Sequence, residues 1–151
     1  MDIDIQLAGD GGGGDWHFEG GDLATGAPLR SAVLVSLFTD RVASVDYADP
    51  GGDTDPRGWW GDAYGSAGPI GSRLWQLNRV AKRDPAALLA KARSYAAESL
   101  AWLMATGVAK SVDITPSWVT PTTIGLRIVV TRPNGSASRF AFAWAWSGLG
   151  V

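Results

Sequence analysis

The stretch TIGLRIVVTRPNGSASRFAFAWAW, residues 123–146, decides the fold. Ile124, Leu126, Ile128 and Val130 form one alternating row, and Phe140, Phe142, Trp144 and Trp146 form a second after Pro133-Asn134-Gly135. A period of two on both sides of a turn signal reads as a β-hairpin with one apolar face. The turn admits two registers. Asn134 and Gly135 as the centre of a type I′ turn would put Val130 opposite Arg139 and throw the two apolar rows onto different faces. A type I turn at Pro133 and Asn134, with Gly135 in the left-handed bulge position, pairs Arg132 with Ser136, Ile128 with Phe140 and Leu126 with Phe142. Only the second register lets both rows share a face, so it is the one expected.

Upstream, Val108, Lys110, Val112 and Ile114 alternate as a third strand, and Pro116 to Pro121 reads as its connection to the hairpin. The meander is preceded by a long helix. Asp84 is placed to accept its first orphan amides and Pro85 suits its first position. Leu88, Ala92, Tyr95, Ala96, Ser99, Leu100 and Leu103 recur on one face, and Gly107 supplies a left-handed stop. Ser72 to Val80 reads as a short helix carrying Leu74, Trp75 and Leu77. Asp46 to Gly71, crowded with glycine, proline and aspartate, reads as a long loop that Trp59, Trp60 and Tyr64 pin against something. Pro28 to Phe38 is an amphipathic helix through Leu29, Val33 and Leu37, widened by Ala32 and by Val35 or Phe38, and ending near Thr39. Ile3, Ile5 and Leu7 alternate ahead of Gly11–Gly14, with Trp16 and Phe18 beyond, as in a loose hairpin. The order implies an α+β fold: an antiparallel sheet with a C-terminal three-strand meander, helices packed on one face, and residues 1–151 as one domain.

The 151 residues suffice for one real core. No cysteine is present, which removes disulfides, thiolate metal sites and cysteine nucleophiles. Thirteen basic and fifteen acidic residues leave a net charge of -2, without the basic footprint of a nucleic-acid or membrane-surface binder. The longest apolar run, Ala32 to Phe38, is too short to span a bilayer, and the acidic start lacks the basic region of a signal peptide. A soluble protein is expected, with neither nucleic acid nor membrane as partner. Eight tryptophans are unusual for this size, and such large amphipathic side chains tend to sit in cores or at interfaces.

Catalytic patterns are weak. Asp40, Asp46, Asp62 and Glu98 are the carboxylates available for glycoside hydrolysis, but no spacing singles out a pair. His17 is the one histidine and no G-x-S-x-G elbow accompanies it. Asp46, Asp49, Asp53 and Asp55 offer oxygen ligands without the EF-hand spacing, and aspartate beside glycine more often makes turns. Gly11–Gly14 lacks the lysine of a phosphate loop. No cofactor is implied. Trp59 and Trp60 suit stacking on a sugar or a protein partner, or filling a gap under their loop. Arg41 suits either a partner's carboxylates or a tie within its own domain.

The blocks GDLAT (21–25), LRSAVLVSLFTDR (29–41), RGWWGDAY (57–64) and GSRLWQL (71–77) resemble the baseplate protein family of Mu-like contractile-tail phages. That family is similar in turn to the wedge subunit that initiates the tail sheath in larger contractile phages and in type VI secretion baseplates. The resemblance implies a structural subunit of the virion tail baseplate, assembled in the host cytoplasm. Its implied partners are other baseplate wedge proteins, the tail sheath protein and central hub or spike proteins. The wedge relatives carry a Glu-Pro-Arg motif after the first helix, and Thr39-Asp40-Arg41 stands there in this chain, retaining the arginine. In them that loop contacts the helical core bundle of the wedge, and the C-terminal sheet resembles the strand-exchange fold of the sheath subunit. Partner contact is accordingly expected at Asp40, Arg41, Arg57, Trp59 and Trp60, and at Arg139 on the meander. Some wedge relatives have been described as lysozymes, so a peptidoglycan hydrolase and a carbohydrate-binding module are the competing readings.

Overall fold

The computed structural model describes residues 28–79 and 84–143 with their side chains, and the backbone of 5–7, 14–16, 18–19, 22–23 and 144–145. Expectations for His17, Gly11–Gly13 and Trp146, and for the side chains of Trp16, Phe18 and Trp144, lie outside the described residues. Two compact units divide the chain, Met1–Val35 and Ser36–Val151. In the first, β1 (Ile5–Leu7) pairs antiparallel with β2 (Gly14–Trp16), the hairpin expected around the glycine run. A second small hairpin, β3 (Phe18–Glu19) with β4 (Asp22–Leu23), follows it and had no strand pattern long enough to read. α1 (Pro28–Phe38) has the bounds that its spacing implies. Its buried positions are Ser31, Val33, Leu34, Ser36 and Leu37, while Val35 and Phe38 are exposed, so Leu34 rather than either of them widens the stripe.

In the second unit, α2 (Pro85–Ala105) begins at the expected cap: the Asp84 carboxylate accepts from the amides of Ala86 and Ala87, both at 3.1 Å. Such a cap contributes about 1 kcal/mol. Leu88, Ala92, Ala96, Ser99, Leu100 and Leu103 are buried, and Tyr95 is half-buried with its hydroxyl 3.2 Å from Gln76 Oε1. Gly107 ends the helix at φ 77°. A 3-10 helix, Leu74–Arg79, occupies the segment read as a short helix, and it buries Leu74, Trp75, Gln76 and Leu77.

α2 lies against a three-stranded antiparallel sheet ordered β5 (Ser111–Thr120), β6 (Thr123–Thr131), β7 (Ala137–Ala145). The β6–β7 register is the bulged one, with Ile128 opposite Phe140, Leu126 opposite Phe142 and Val129 opposite Arg139. Gly135 stands at φ 87°, and Arg132 and Ser136 close the turn through a 2.8 Å backbone bond. The row Ile114, Ile124, Leu126, Ile128, Val130 and Phe142 is buried. Phe140 stacks on Phe142 but is only half-buried, less enclosed than the shared row implied.

The β5 segment corrects the sequence reading. Its strand starts at Ser111 rather than Val108 and runs straight through Pro116, which pairs with Leu126. The connection shrinks to Pro121 and Thr122, between the paired Thr120 and Thr123. Proline is tolerated because β5 is an edge strand, with one side free of the ladder. A register irregularity between Trp118 and Thr120 precedes the turn, and the Trp118 indole reaches back to the Pro85 carbonyl at 3.4 Å.

Candidate docking surface

The loop between α1 and the Leu74–Arg79 helix is built around Trp75, which is 8% exposed. Its indole N–H donates to the Arg41 carbonyl at 2.9 Å, its ring meets Tyr47 edge-on at 5.6 Å, and the guanidinium groups of Arg57 and Arg79 sit over it at 4.9 and 5.8 Å. Backbone bonds stitch the same place. Arg41 N–H donates to the Ser72 carbonyl at 3.0 Å, Ser72 N–H to the Thr39 carbonyl at 2.9 Å, and Ala43 N–H to the Pro56 carbonyl at 2.8 Å. Gly71, at φ 94°, makes the close crossing possible, since a Cβ there would lie 2.3 Å from the Thr39 carbonyl oxygen.

The aspartates tie this loop to itself. Asp49 accepts from the amides of Gly51 and Asp53, Asp53 from that of Asp55, and Asp55 from that of Arg57. Arg79 bridges Asp49 and Asp53, at 3.0 Å to each. Desolvation pulls the Asp49 carboxyl upward, yet the two amides and Arg79 together hold it below the usual carboxylate range. The Asp55 amide, and then Arg79, hold Asp53 low as well. The hydrogen bond that Arg79 donates to Asp53, opposed by desolvation and reinforced by the charge of Asp49, holds the guanidinium above its ordinary value. These carboxylates act as turn and loop ties, Asp46 is exposed without a bond to a described residue, and two further candidates are engaged. Asp62 accepts from the Ile70 amide at 3.1 Å, and Glu98 takes the Arg73 fork at 2.9 and 2.5 Å.

Of the six residues expected at a partner contact, five belong to this loop. Asp40 pairs with Arg57, whose backbone takes φ 55°, a left-handed conformation that costs a non-glycine residue about 1–2 kcal/mol. That geometry sets the guanidinium between Asp40 and Trp75. Arg41 uses its backbone twice, and its half-buried side chain has no hydrogen bond or ion pair to a described residue. Trp59 and Trp60 do not fill a gap under the loop. They are 41% and 77% exposed, their centroids 5.3 Å apart and their planes tilted by 44°. Tyr64, 86% exposed, extends the row edge-on to Trp60 at 6.3 Å. The Trp59 ring lies over Gly61, where a Cβ would come within 2.0 Å of it. Arg139 stands apart on β7, opposite Val129 and exposed.

Trp75, Tyr47 and Arg79 form the centre of the loop, and none was singled out as a site residue from sequence. Nothing local separates Trp75 from Trp59 or Trp60, except its place between Leu74 and Leu77 in a segment read as helical.

The family model described as phage protein GP46 matches residues 29–137. The baseplate protein gp46 of Escherichia phage Mu is 38% identical over 146 residues, covering 97% of this chain and 99% of its own. The Mu-like prophage FluMu protein gp46 of Haemophilus influenzae is 37% identical over 139 residues, covering 87% of this chain and 94% of its own. The matched span of the family model holds α1, the Trp75-centred loop, α2 and the sheet up to the start of β7, and on these grounds the chain belongs to the phage protein GP46 family.

Proposed function

We propose that this chain is a structural subunit of a contractile-tail baseplate in the virion, a wedge component that joins the baseplate to the first sheath subunits. Support comes first from the phage Mu relative, itself called a baseplate protein, which aligns over nearly the whole of both chains. The observation that carries the docking part is the loop from Asp40 to Ser72: its charges are largely spent on holding its own shape, while Trp59, Trp60 and Tyr64 stand outward. Exposed tryptophan, tyrosine and arginine on a rigid support are the residue types that dominate protein interfaces. Arg41 adds a fork suited to a carboxylate of a neighbouring wedge protein.

The sheath contact is assigned to the sheet. β5 presents an edge interrupted by Pro116 and an irregular register, whereas β7 pairs regularly with β6 from Ala137 to Ala145 and contains no proline. A sheath strand added by β-augmentation is better served by the β7 edge, because main-chain bonds carry the affinity in that mode. The test is co-purification with the other baseplate proteins. Arg41→Ala and Trp60→Ala are expected to weaken association while circular dichroism of the isolated chain stays unchanged. Unchanged association in both variants would refute the assignment of this loop.

A further inference from the structure

We infer that the hollow beside Trp59 and Trp60 takes an arginine side chain of a partner protein, stacked on the indoles and paired with Asp62, a reading that deepens the docking role above and rests on it. Among the described residues three guanidinium groups lie over aromatic rings, and each also meets a carboxylate. Arg57 lies 4.9 Å from the Trp75 centroid and pairs with Asp40. Arg79 lies 5.8 Å from the same ring and bridges Asp49 and Asp53. Arg73 lies 5.5 Å from the Tyr95 centroid and pairs with Glu98. Ring, cation and carboxylate recur as a unit in this fold, because the ring face and the carboxylate both attract the cation.

A fourth place holds the rings and the carboxylate without the cation. The 3-10 helix Trp60–Tyr64 carries Asp62 in its first turn, and Trp59, Trp60 and Asp62 line one hollow of about 460 Å³ together with Val42 and Pro69. Asp62 is half-buried. Its Oδ1 accepts from the Ile70 amide at 3.1 Å, a neutral donor that fixes the carboxylate and leaves its charge in place. No ion pair joins Asp62 to a described residue. Arg57 also borders the hollow, but its guanidinium is held by Asp40 and the Trp75 ring.

Charge complementarity selects the occupant. An apolar side chain seated in the hollow would strip water from the Asp62 carboxylate and give it no partner, and an acidic one would be repelled. A cation supplies what the carboxylate lacks and is drawn to the indole faces as well. Of the two cationic side chains, arginine fits the pair of demands. Its planar guanidinium stacks on an indole while its N–H edge donates to a carboxylate, whereas the lysine ammonium is a strongly hydrated point charge. Trp60 is 77% exposed, so a side chain arriving from outside reaches its ring.

The test titrates the full chain with a blocked Gly-Arg-Gly peptide, with its citrulline and lysine counterparts and with a chitooligosaccharide, following tryptophan fluorescence and calorimetry. Citrulline keeps the planar shape and removes the charge. Saturable binding of the arginine peptide is expected, with the lysine peptide weaker and the citrulline peptide about five-fold weaker, the size of a partly exposed ion pair. Asp62→Asn, which keeps an acceptor for the Ile70 amide, should weaken arginine binding by the same factor of about five. Trp60→Ala should weaken it about three-fold. No saturable arginine binding, equal affinity for the citrulline or lysine peptide, chitooligosaccharide binding in its place, or wild-type affinity in Asp62→Asn would each overturn the proposal. Loss of baseplate association in Trp60→Ala without arginine-peptide binding ends this inference and leaves the docking role. Arginine-peptide binding that depends on Asp62, alongside unimpaired association in both variants, supports the inference and counts against the docking role.

Discussion

Gly71 and Gly107 both adopt positive φ, 94° and 77°, yet their surroundings differ, and replacing each by alanine separates backbone strain from steric contact. At Gly107 a new Cβ meets nothing within 4 Å. The cost there is the left-handed strain alone, about 1–2 kcal/mol. At Gly71 the Cβ would sit 2.3 Å from the Thr39 carbonyl oxygen and 3.1 Å from the Arg41 amide nitrogen. Both are backbone atoms, so no side-chain rotation relieves the clash. The chain must part there, and the flanking bonds from Ser72 to Thr39 and from Arg41 to Ser72 go with it. At roughly 1 kcal/mol for each bond, the total for Gly71→Ala reaches about 3–4 kcal/mol. For a chain of this length that lowers Tm by roughly 10 °C, against about 5 °C for Gly107→Ala. Thermal unfolding followed by far-ultraviolet circular dichroism reads both. Equal losses in the two variants would refute the claim that the crossing at Thr39 fastens the loop.

Three further outcomes follow from named contacts. Asp84→Ala removes the acceptor for the Ala86 and Ala87 amides and should cost about 1 kcal/mol, seen as a lower denaturation midpoint with the m-value unchanged. Leu126→Ala empties a position on β6 that is 1% exposed and should cost about 2–5 kcal/mol in the same assay. Asp49 and Asp53 have folded-state values below the ordinary carboxylate value, so their contribution is complete above the unfolded pKa and fades as pH falls through the depressed folded one. Calorimetric Tm should therefore drop more steeply below about pH 4 in the wild type than in Asp49→Asn/Asp53→Asn; parallel pH profiles would contradict the ties to Arg79.

Much of the fold is legible in the residues because several signals coincide at each boundary. Pro28–Phe38 combines apolar spacing with an opening proline, and α2 has both its cap and its stop in the sequence. At the β6–β7 turn only one register keeps the two apolar rows on one face, and the structure adopts it. The same logic failed at Pro116. A proline reads as a break because it cannot donate to a ladder, but an edge strand has positions where no donation is required, and edge status is a property of the assembled sheet. Sheet order among strands is set by long-range pairing, which no local pattern in β5 encodes.

The loop site divides along the same line. Its composition announces turns, and RGWWGDAY announces aromatics, but the choice of which ring is enclosed depends on contacts distant in sequence. Trp75 is enclosed because Arg41, Tyr47, Arg57 and Arg79 converge on it from separate stretches of chain. Trp59 and Trp60 stay outside because Gly61 folds the chain beneath the Trp59 ring and the loop's charged groups are already paired below. Composition alone assigns the three indoles one status. Their hydrogen bonds do not: the enclosed indole has an acceptor within its own fold, and the two exposed ones lack any among the described residues. An enclosed tryptophan with a satisfied N–H explains stability. Exposed tryptophans spend apolar ring area on water, and this difference in enclosure, rather than the number of tryptophans, is what directs the proposed docking role to the surface of Trp59 and Trp60.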